Sequence, residues 1–400
     1  MRQILELRNP IQPYAWGSRT AIRRLLGRPG PSAEPEAELW LGAHPKSPSQ
    51  VRIDGVWRPL DEVVAADPVA ILGPRQAALA PALPFLLKVL AAERPLSIQA
   101  HPDAAQARAG YARENALGLA LDDAARSFRD ESAKPELLYA LGPEPFRVMR
   151  GLRPVAQILA YLEDLGLCGL LPGCAELRRG GEAALPGFIA SYLRLEAART
   201  APLLEALVER AAENDGDEAC AWVGRLSAAY PGDPGVIGPL VMNVFELAPG
   251  EVLFTPPGVI HAYLEGTGIE LMASSDNVVR GGLTGKHVDV EALLGVVDFA
   301  ATGDGRVPPA AGGVGETRFR APSAALELSR IELAAGEVHP RAVAGVEILL
   351  ATGGRGEIDP ATGPAVPLPQ GRAVLVPAAA GSYRLLGPGT WFRAAVPESP

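Results

Sequence analysis

A histidine followed at once by a proline ends the stretch that most constrains this chain, Ser97-Ile-Gln-Ala-His-Pro-Asp103. If Leu96 to His101 is extended, Gln99 and His101 leave the same face of a sheet, which is how a strand presents two metal ligands. Pro102 has no donor for a ladder and stops the strand directly after the histidine. The apolar segment before it, Leu83 to Leu90, reads as a buried strand closed by the turn-like Ala92-Glu93-Arg94-Pro95. A core histidine and glutamine that satisfy each other would leave the same trace, so this stretch alone leaves both readings open.

A second informative stretch follows the strand signals Met242–Leu247 and Val252–Thr255. It runs Gly250-Glu-Val-Leu-Phe-Thr-Pro-Pro-Gly-Val-Ile-His261. The spacing, Gly, five residues, Pro-x-Gly, two residues, His, resembles the second motif of cupin barrels, in which a tight turn delivers the histidine to the barrel mouth. Glu265 stands where that motif has a later Asn. Near the end of the chain, Gly371 to Pro377 repeats the spacing of Gly250 to Pro256, with Ser382 in place of a histidine. A second barrel without a metal site is expected there. Phe245–Val252 is also echoed by Ile331–Val338, in a different register.

Four hundred residues exceed one ordinary core, so two or three domains are expected. With 48% hydrophobic and 21% charged residues and a net charge of -9, the chain reads as soluble and globular, with no basic patch suited to nucleic acid. Local charge still allows an anionic small-molecule substrate. The basic residues are almost all arginine; the lysines are Lys46, Lys88, Lys134 and Lys286, and histidines number five. Cys168, Cys174 and Cys220 are odd in number and form no Cys-x-x-Cys pair, so no disulfide framework is expected and a reducing cytosol is the simplest home. No apolar run is long enough for a membrane span, and the N-terminus lacks a signal peptide's apolar core.

Along the chain, alternation predicts a strand over Arg2–Leu7 and an ordered loop over Asn9–Gly17, in which Trp16 packs. Ala37–Gly42 reads as a short strand ending near His44, a histidine more often found packing than ligating. Asp103 can cap a helix through Ala104, Ala107 and Tyr111, and Asp122 or Asp123 a second one. Strand character returns over Asp130–Tyr139, where Pro135 keeps Lys134 out of the helical region and leaves Lys134 and Glu136 on one face. From Pro154 to about Tyr230 the chain reads as a helical insert. Pro186 lies near one helix start; Pro202 starts another whose stripe is Leu203, Leu204, Leu207, Val208 and Ala211. The turn Pro231–Gly235 closes it.

Gln99, His101 and His261 supply nitrogen and oxygen donors from separate strands, and Glu136 is the best fourth ligand; this set suits Zn²⁺. Together with Asn9–Gly17, Ala37–Trp40, Lys134-Pro-Glu136 and Glu270-Leu-Met-Ala-Ser-Ser-Asp-Asn-Val-Val-Arg280, these motifs resemble the type I mannose-6-phosphate isomerases over residues 1 to about 290. The resemblance implies a mainly β protein with a helical insert. Its parts are a discontinuous cupin-type (jelly roll) catalytic domain over 1–150 and 235–295, an α-helical domain over 151–234, and a degenerate cupin-like barrel over 296–400. It implies one Zn²⁺ per chain, held by Gln99, His101, Glu136 and His261, and the interconversion of mannose 6-phosphate and fructose 6-phosphate through an enediol or enediolate. Glu270, Lys134 and Arg280 would be catalytic, with Ser97, Arg280 and Lys286 on the substrate. Such chemistry needs a base to move a proton between C1 and C2, an electrophile and a grip on phosphate. Arg280 can serve the phosphate or the enediolate, and Glu270 and Arg280 are expected at the two ends of a turn between adjacent strands. Two rivals are a cupin oxygenase, which usually needs His-x-His where Gln99 stands, and an idle sugar-phosphate-binding barrel, which would have lost Lys134, Glu270 and Arg280. A cytoplasmic monomer, without nucleic-acid or membrane partners, completes the expectation.

Overall fold

A computed structural model describes residues 3–301, 303–323 and 326–397. It is mostly sheet with some helices. In chain order the first thirteen strands are β1 (Leu5–Arg8), β2 (Ile11–Gln12), β3 (Glu38–Leu41), β4 (Gln50–Ile53), β5 (Val56–Pro59), β6 (Phe85–Ala92) and β7 (Ile98–Ala100). They continue with β8 (Glu136–Ala140), β9 (Phe146–Leu152), β10 (Met242–Leu247), β11 (Val252–Thr255), β12 (His261–Ala273) and β13 (Val279–Gly282). Of the strand expected over Arg2–Leu7, Arg2 lies outside the described residues.

A ten-stranded sheet holds β2, β3 and β6–β13. Its spine is β12, which pairs antiparallel with β9 and β7 near His261 and with β6 and β8 beyond Gly266. β6 is buried at every position, which is why it reads as an apolar run broken only by Lys88. A nine-stranded sheet combines β1, β4 and β5 with C-terminal strands, and β1 is hydrogen-bonded to Ala373–Val376. The faces of the two sheets share one core, in which Val89, Leu137 and Leu271 meet Leu328, Ile348 and Phe392. A second core joins the helical region to the end of the large sheet, through Leu207, Leu226, Ile98 and Leu293 among others.

Asp103 caps the helix Ala104–Ala116 as expected, its carboxylate accepting from the Ala105 and Gln106 amides. No second helix follows at Asp122 or Asp123. There the buried Arg126 guanidinium donates to the carbonyls of Leu119 and Phe128, holding the backbone in turns. Pro202 does not start its helix, which runs Ala197–Ala212 with the proline inside; Thr200 donates its hydroxyl to the Glu196 carbonyl in the first turn. The expected stripe is buried at Leu203, Leu204, Leu207 and Ala211. Contrary to the expectation from the cysteine count, Cys168 and Cys174 form a disulfide, because the turn through Gly173 brings their Cα atoms to 5.5 Å; Cys220 is free and buried. Among the described residues no helix is long and apolar enough to cross a membrane.

Candidate active site

The histidines arrive from two neighbouring strands. His101 follows β7 directly, and His261 opens β12 opposite Gln99 of β7. Glu136 begins β8, opposite Met272 of β12 and Thr255 of β11. All three are buried: His101 is 1% exposed, Glu136 2% and His261 0%. His101 Nε2 lies 3.2 Å from Glu136 Oε1, and His261 Nε2 lies 3.4 Å from Glu136 Oε2. Each imidazole is turned by a backbone carbonyl: His101 Nδ1–H donates to Asn277 (2.8 Å) and His261 Nδ1–H to Val259 (2.9 Å). That tautomer leaves both Nε2 lone pairs directed at Glu136, the arrangement that carbonyl partners give to metal-binding histidines.

The electrostatics agree. Burial, followed by the Lys134 ammonium, pushes His101 down to about 4, so the imidazole is neutral near pH 7. Burial works against ionisation of Glu136, yet it is held well below the usual carboxylate range; the charged partner is the Lys134 ammonium, with Nζ 3.2 Å away. His101 Nε2 and Glu136 Oε2 are buried without a hydrogen-bond partner. Two imidazole nitrogens and a carboxylate, with orphaned atoms facing one point, fit a divalent cation of zinc's preferences. Among the described residues this is the group of His, Cys, Asp and Glu side chains close enough to share an ion, its ligand atoms lying within 4.8 Å of one another. The Gln99 amide nitrogen is 3.3 Å from His261 Nε2, beside the same point.

Gln99, Glu136, Lys134, Glu270, Ser97, Arg280 and Lys286, all picked out from sequence, line a single cleft of about 600 Å³. Arg280 lies opposite Gln99 across the β7–β13 pair. Glu270 and Arg280 are therefore not on adjacent strands, as expected from the turn between them: β7 runs between the start of β12 and β13, because the thirteen-residue β12 changes partners along its length. Trp16 packs against the Leu90 and Phe146 cluster and also forms a wall of the cleft. His44 stays away from the metal ligands, buried edge-on to Trp40 and 3.4 Å from Asp276.

Two features were missed in the sequence. Lys88, in the middle of β6, faces Glu270 across the β6–β12 pair, with its Nζ 3.1 Å from Glu270 and 3.6 Å from Glu38. Glu38 in turn accepts from the Trp40 indole (2.6 Å). Burial alone would lower Lys88, but Glu38 and Glu270 outweigh it and hold the ammonium above its ordinary range. Burial raises Glu270 despite Lys88, with Glu136 and Glu38 adding to the rise. The second feature is cationic: Arg280, Lys286, Arg129 and Lys46 all line the same cleft. Burial lowers Arg280, and Arg129 lowers it further; partial burial lowers Lys286, then Arg280, Arg129 and Lys46 in turn. Lys46 is paired with Asp276 at 2.8 Å, whereas the Arg280, Arg129 and Lys286 charges repel one another. Cations that depress one another at one end of a cleft make a receptor for an anion.

The fold and this cleft define a mostly β protein in which Glu136 of the candidate metal cluster and a group of cations line one cavity. Residues 4–155 match the family model for the catalytic domain of type I phosphomannose isomerase. The chain is 40% identical over 298 residues to mannose-6-phosphate isomerase of Escherichia coli, covering 74% of this chain and 75% of that one. It is 32% identical over 322 residues to the Homo sapiens enzyme, covering 74% and 73%. A zinc-bound structure of mannose 6-phosphate isomerase superposes with a TM-score of 0.91 at 33% identity, covering 99% of this chain and 100% of that one. A phosphomannose isomerase variant from Salmonella typhimurium gives 0.92 at 32%, with 99% and 100% covered. This chain belongs to the type I mannose-6-phosphate isomerase family.

Proposed function

We propose that this protein interconverts mannose 6-phosphate and fructose 6-phosphate with one Zn²⁺ held by Gln99, His101, Glu136 and His261. The observation that carries the reading is that Glu136, the carboxylate of a buried two-histidine, one-carboxylate cluster, lines one cleft together with Gln99, a buried Lys–Glu pair and a set of mutually repelling cations. When bound, zinc would supply Lewis acidity toward the sugar oxygens. Gln99 would join the histidines through its amide oxygen, since half a turn about its last bond exchanges that oxygen with the nitrogen beside His261.

The chain's own groups divide the remaining work. Glu270, a cleft carboxylate outside the ligand cluster that is paired with Lys88 at 3.1 Å, serves as the base that carries a proton between C1 and C2. Burial raises its basicity, and Lys88 keeps it ionised and fixed in direction. Lys134, ion-paired with Glu136, presents a proton donor to the sugar oxygens from the metal's side of the cleft. Arg280 and Lys286, with Ser97 in the same cleft, hold the phosphate. Unphosphorylated mannose is then a very poor substrate.

The catalytic unit reads as a cupin-type barrel drawn from 1–150 and 235–295, with the helical domain 151–234 inserted, followed by a C-terminal barrel from 296 whose sheet takes β1, β4 and β5 from the first segment. A cytoplasmic monomer fits this reading. A coupled assay of fructose 6-phosphate formation from mannose 6-phosphate tests it: turnover is expected, chelation abolishes it, and zinc restores it. Metal-free protein with full activity would sink the zinc assignment, and zinc-loaded protein without turnover would sink the reaction.

A further inference from the structure

The helical region touches the proposed cleft at one junction. Its helix Glu218–Ala229 runs into Tyr230, whose hydroxyl donates to the Pro95 carbonyl (2.5 Å), two residues before Ser97. The chain then turns through Asp233 into a short 3-10 turn, Pro234–Ile237. The Asp233 carboxylate is divided between two segments: Oδ1 accepts from the Gly235 amide at 2.7 Å, and Oδ2 accepts from the Thr284 amide at 2.9 Å. Thr284 belongs to the loop that leaves β13 and carries Lys286.

That loop has an unusual backbone. Gly282 has φ +126° and Leu283 has φ +53°, the left-handed region that a leucine rarely adopts. Leu283 is 1% exposed and packs in the helical core. Gly235 and Gly282 touch backbone to backbone: a Cβ on Gly282 would lie 2.8 Å from the Gly235 Cα. The next link is Thr284 itself, whose hydroxyl accepts from the Lys286 amide at 3.1 Å.

We propose that Asp233 is a positioning residue for the substrate's phosphate, pinning the Thr284 amide so that the 282–286 loop sets Lys286 beside Arg280. The inference rests on the reading of Lys286 as a phosphate ligand. A carboxylate can accept from both amides at once, asparagine from one only, since its NH₂ would face a donor, and alanine from neither. Without the pin, the backbone at Leu283 can relax to a commoner conformation and the ammonium loses its preset position. Asp233 reaches no reacting atom, so the loss falls on binding.

A double-mutant cycle on the full-length, zinc-loaded enzyme tests this, with KM for mannose 6-phosphate, kcat and the inhibition constant of inorganic phosphate measured for Asp233→Ala, Lys286→Ala and the pair. Each single variant is expected to raise KM and the phosphate constant by about tenfold and to leave kcat within about twofold. The double variant should be no worse than Lys286→Ala alone, because Asp233 acts through that lysine. Asp233→Asn should fall between wild type and Asp233→Ala. Additive losses, or an unchanged KM in Asp233→Ala while Lys286→Ala is impaired, overturn the inference and leave the phosphate reading standing. Unchanged KM and phosphate inhibition in Lys286→Ala remove the phosphate reading, and the inference with it. Should Asp233→Ala not fold, Asp233→Asn carries the cycle with the same requirement of non-additivity.

Discussion

A lysine inside a strand buried on both faces would be costly unless its charge were met, and Lys88 is met twice, by Glu38 and Glu270. Its neutral replacement, Lys88→Met, leaves the two carboxylates without their shared cation. The pKa of Glu270, already raised by burial, then rises further, because a counter-charge that favoured ionisation is gone. A base works only when ionised, so the acidic limb of kcat/KM should move to higher pH by about one unit or more. An acidic limb that stays in place would remove Glu270 from that role. Glu270→Gln keeps the shape without the basic oxygen; zinc content should persist while kcat falls by about 10² to 10⁴, read alongside hydrogen exchange at C2 in D₂O. Wild-type exchange in that variant would pass the role of base to Lys134. His101, Glu136 and His261 were legible in the sequence because each sits in a motif with its own turn or proline, whereas Glu270 was named only through the family resemblance. Lys88 was not legible, although a single charge within Phe85-Leu-Leu-Lys-Val-Leu90 was the signal available.

Between β12 and β13, the loop 274–278 works as a clasp. Asn277 is fully buried: its side-chain oxygen accepts from the Arg129 and Asp130 amides, its NH₂ donates to the Asp130 and Ser132 carbonyls, and its own carbonyl orients His101. Ser275 and the Asp276 amide add bonds to the Asp130 carboxylate. The clasp thus joins the segment leading to Lys134 with a proposed zinc ligand. Asn277→Ala should lower zinc affinity about 10- to 100-fold, as outer partners of metal ligands do, measured by competition with a chelator. Zinc affinity equal to wild type would mean that His101 is oriented without the clasp. The strands here were legible from apolar runs and the helix after Pro102 from its cap, both local signals. The clasp was hidden because its halves are some 145 residues apart. The missing helix at Asp123 and the early start of the Pro202 helix failed for a related reason: Arg126 and Thr200 satisfy backbone groups with their side chains, and composition does not announce that.

At the scale of the molecule, the C-terminal strands hold a buried ion cluster. Arg393 is fully buried and donates to Glu347, Glu316 and Glu327 at 2.8 to 3.0 Å, and to Ser329. Arg393→Met removes the shared partner of three buried carboxylates, leaving them Arg318, Arg320 and Arg341 as cationic partners at the edge of the cluster, and should cost about 3–5 kcal/mol, measured by denaturant unfolding. Zinc stoichiometry of the folded fraction should be unchanged, since no zinc ligand belongs to that cluster. A loss below about 1 kcal/mol would put the cluster with surface ion pairs. This region is no appendage, because β1 and β4 complete its sheet, and Arg372 is paired with Glu6 across 366 positions of sequence. For a chain emerging from the ribosome at about 5–20 residues per second, roughly 20 to 70 s pass between the birth of the first strand and that of its partner. Throughout that interval β1 can pair only with β4 on one edge, and its other edge, along Leu5 and Leu7, stays open. Synthesis time, rather than any local propensity, sets the earliest moment at which this enzyme can close.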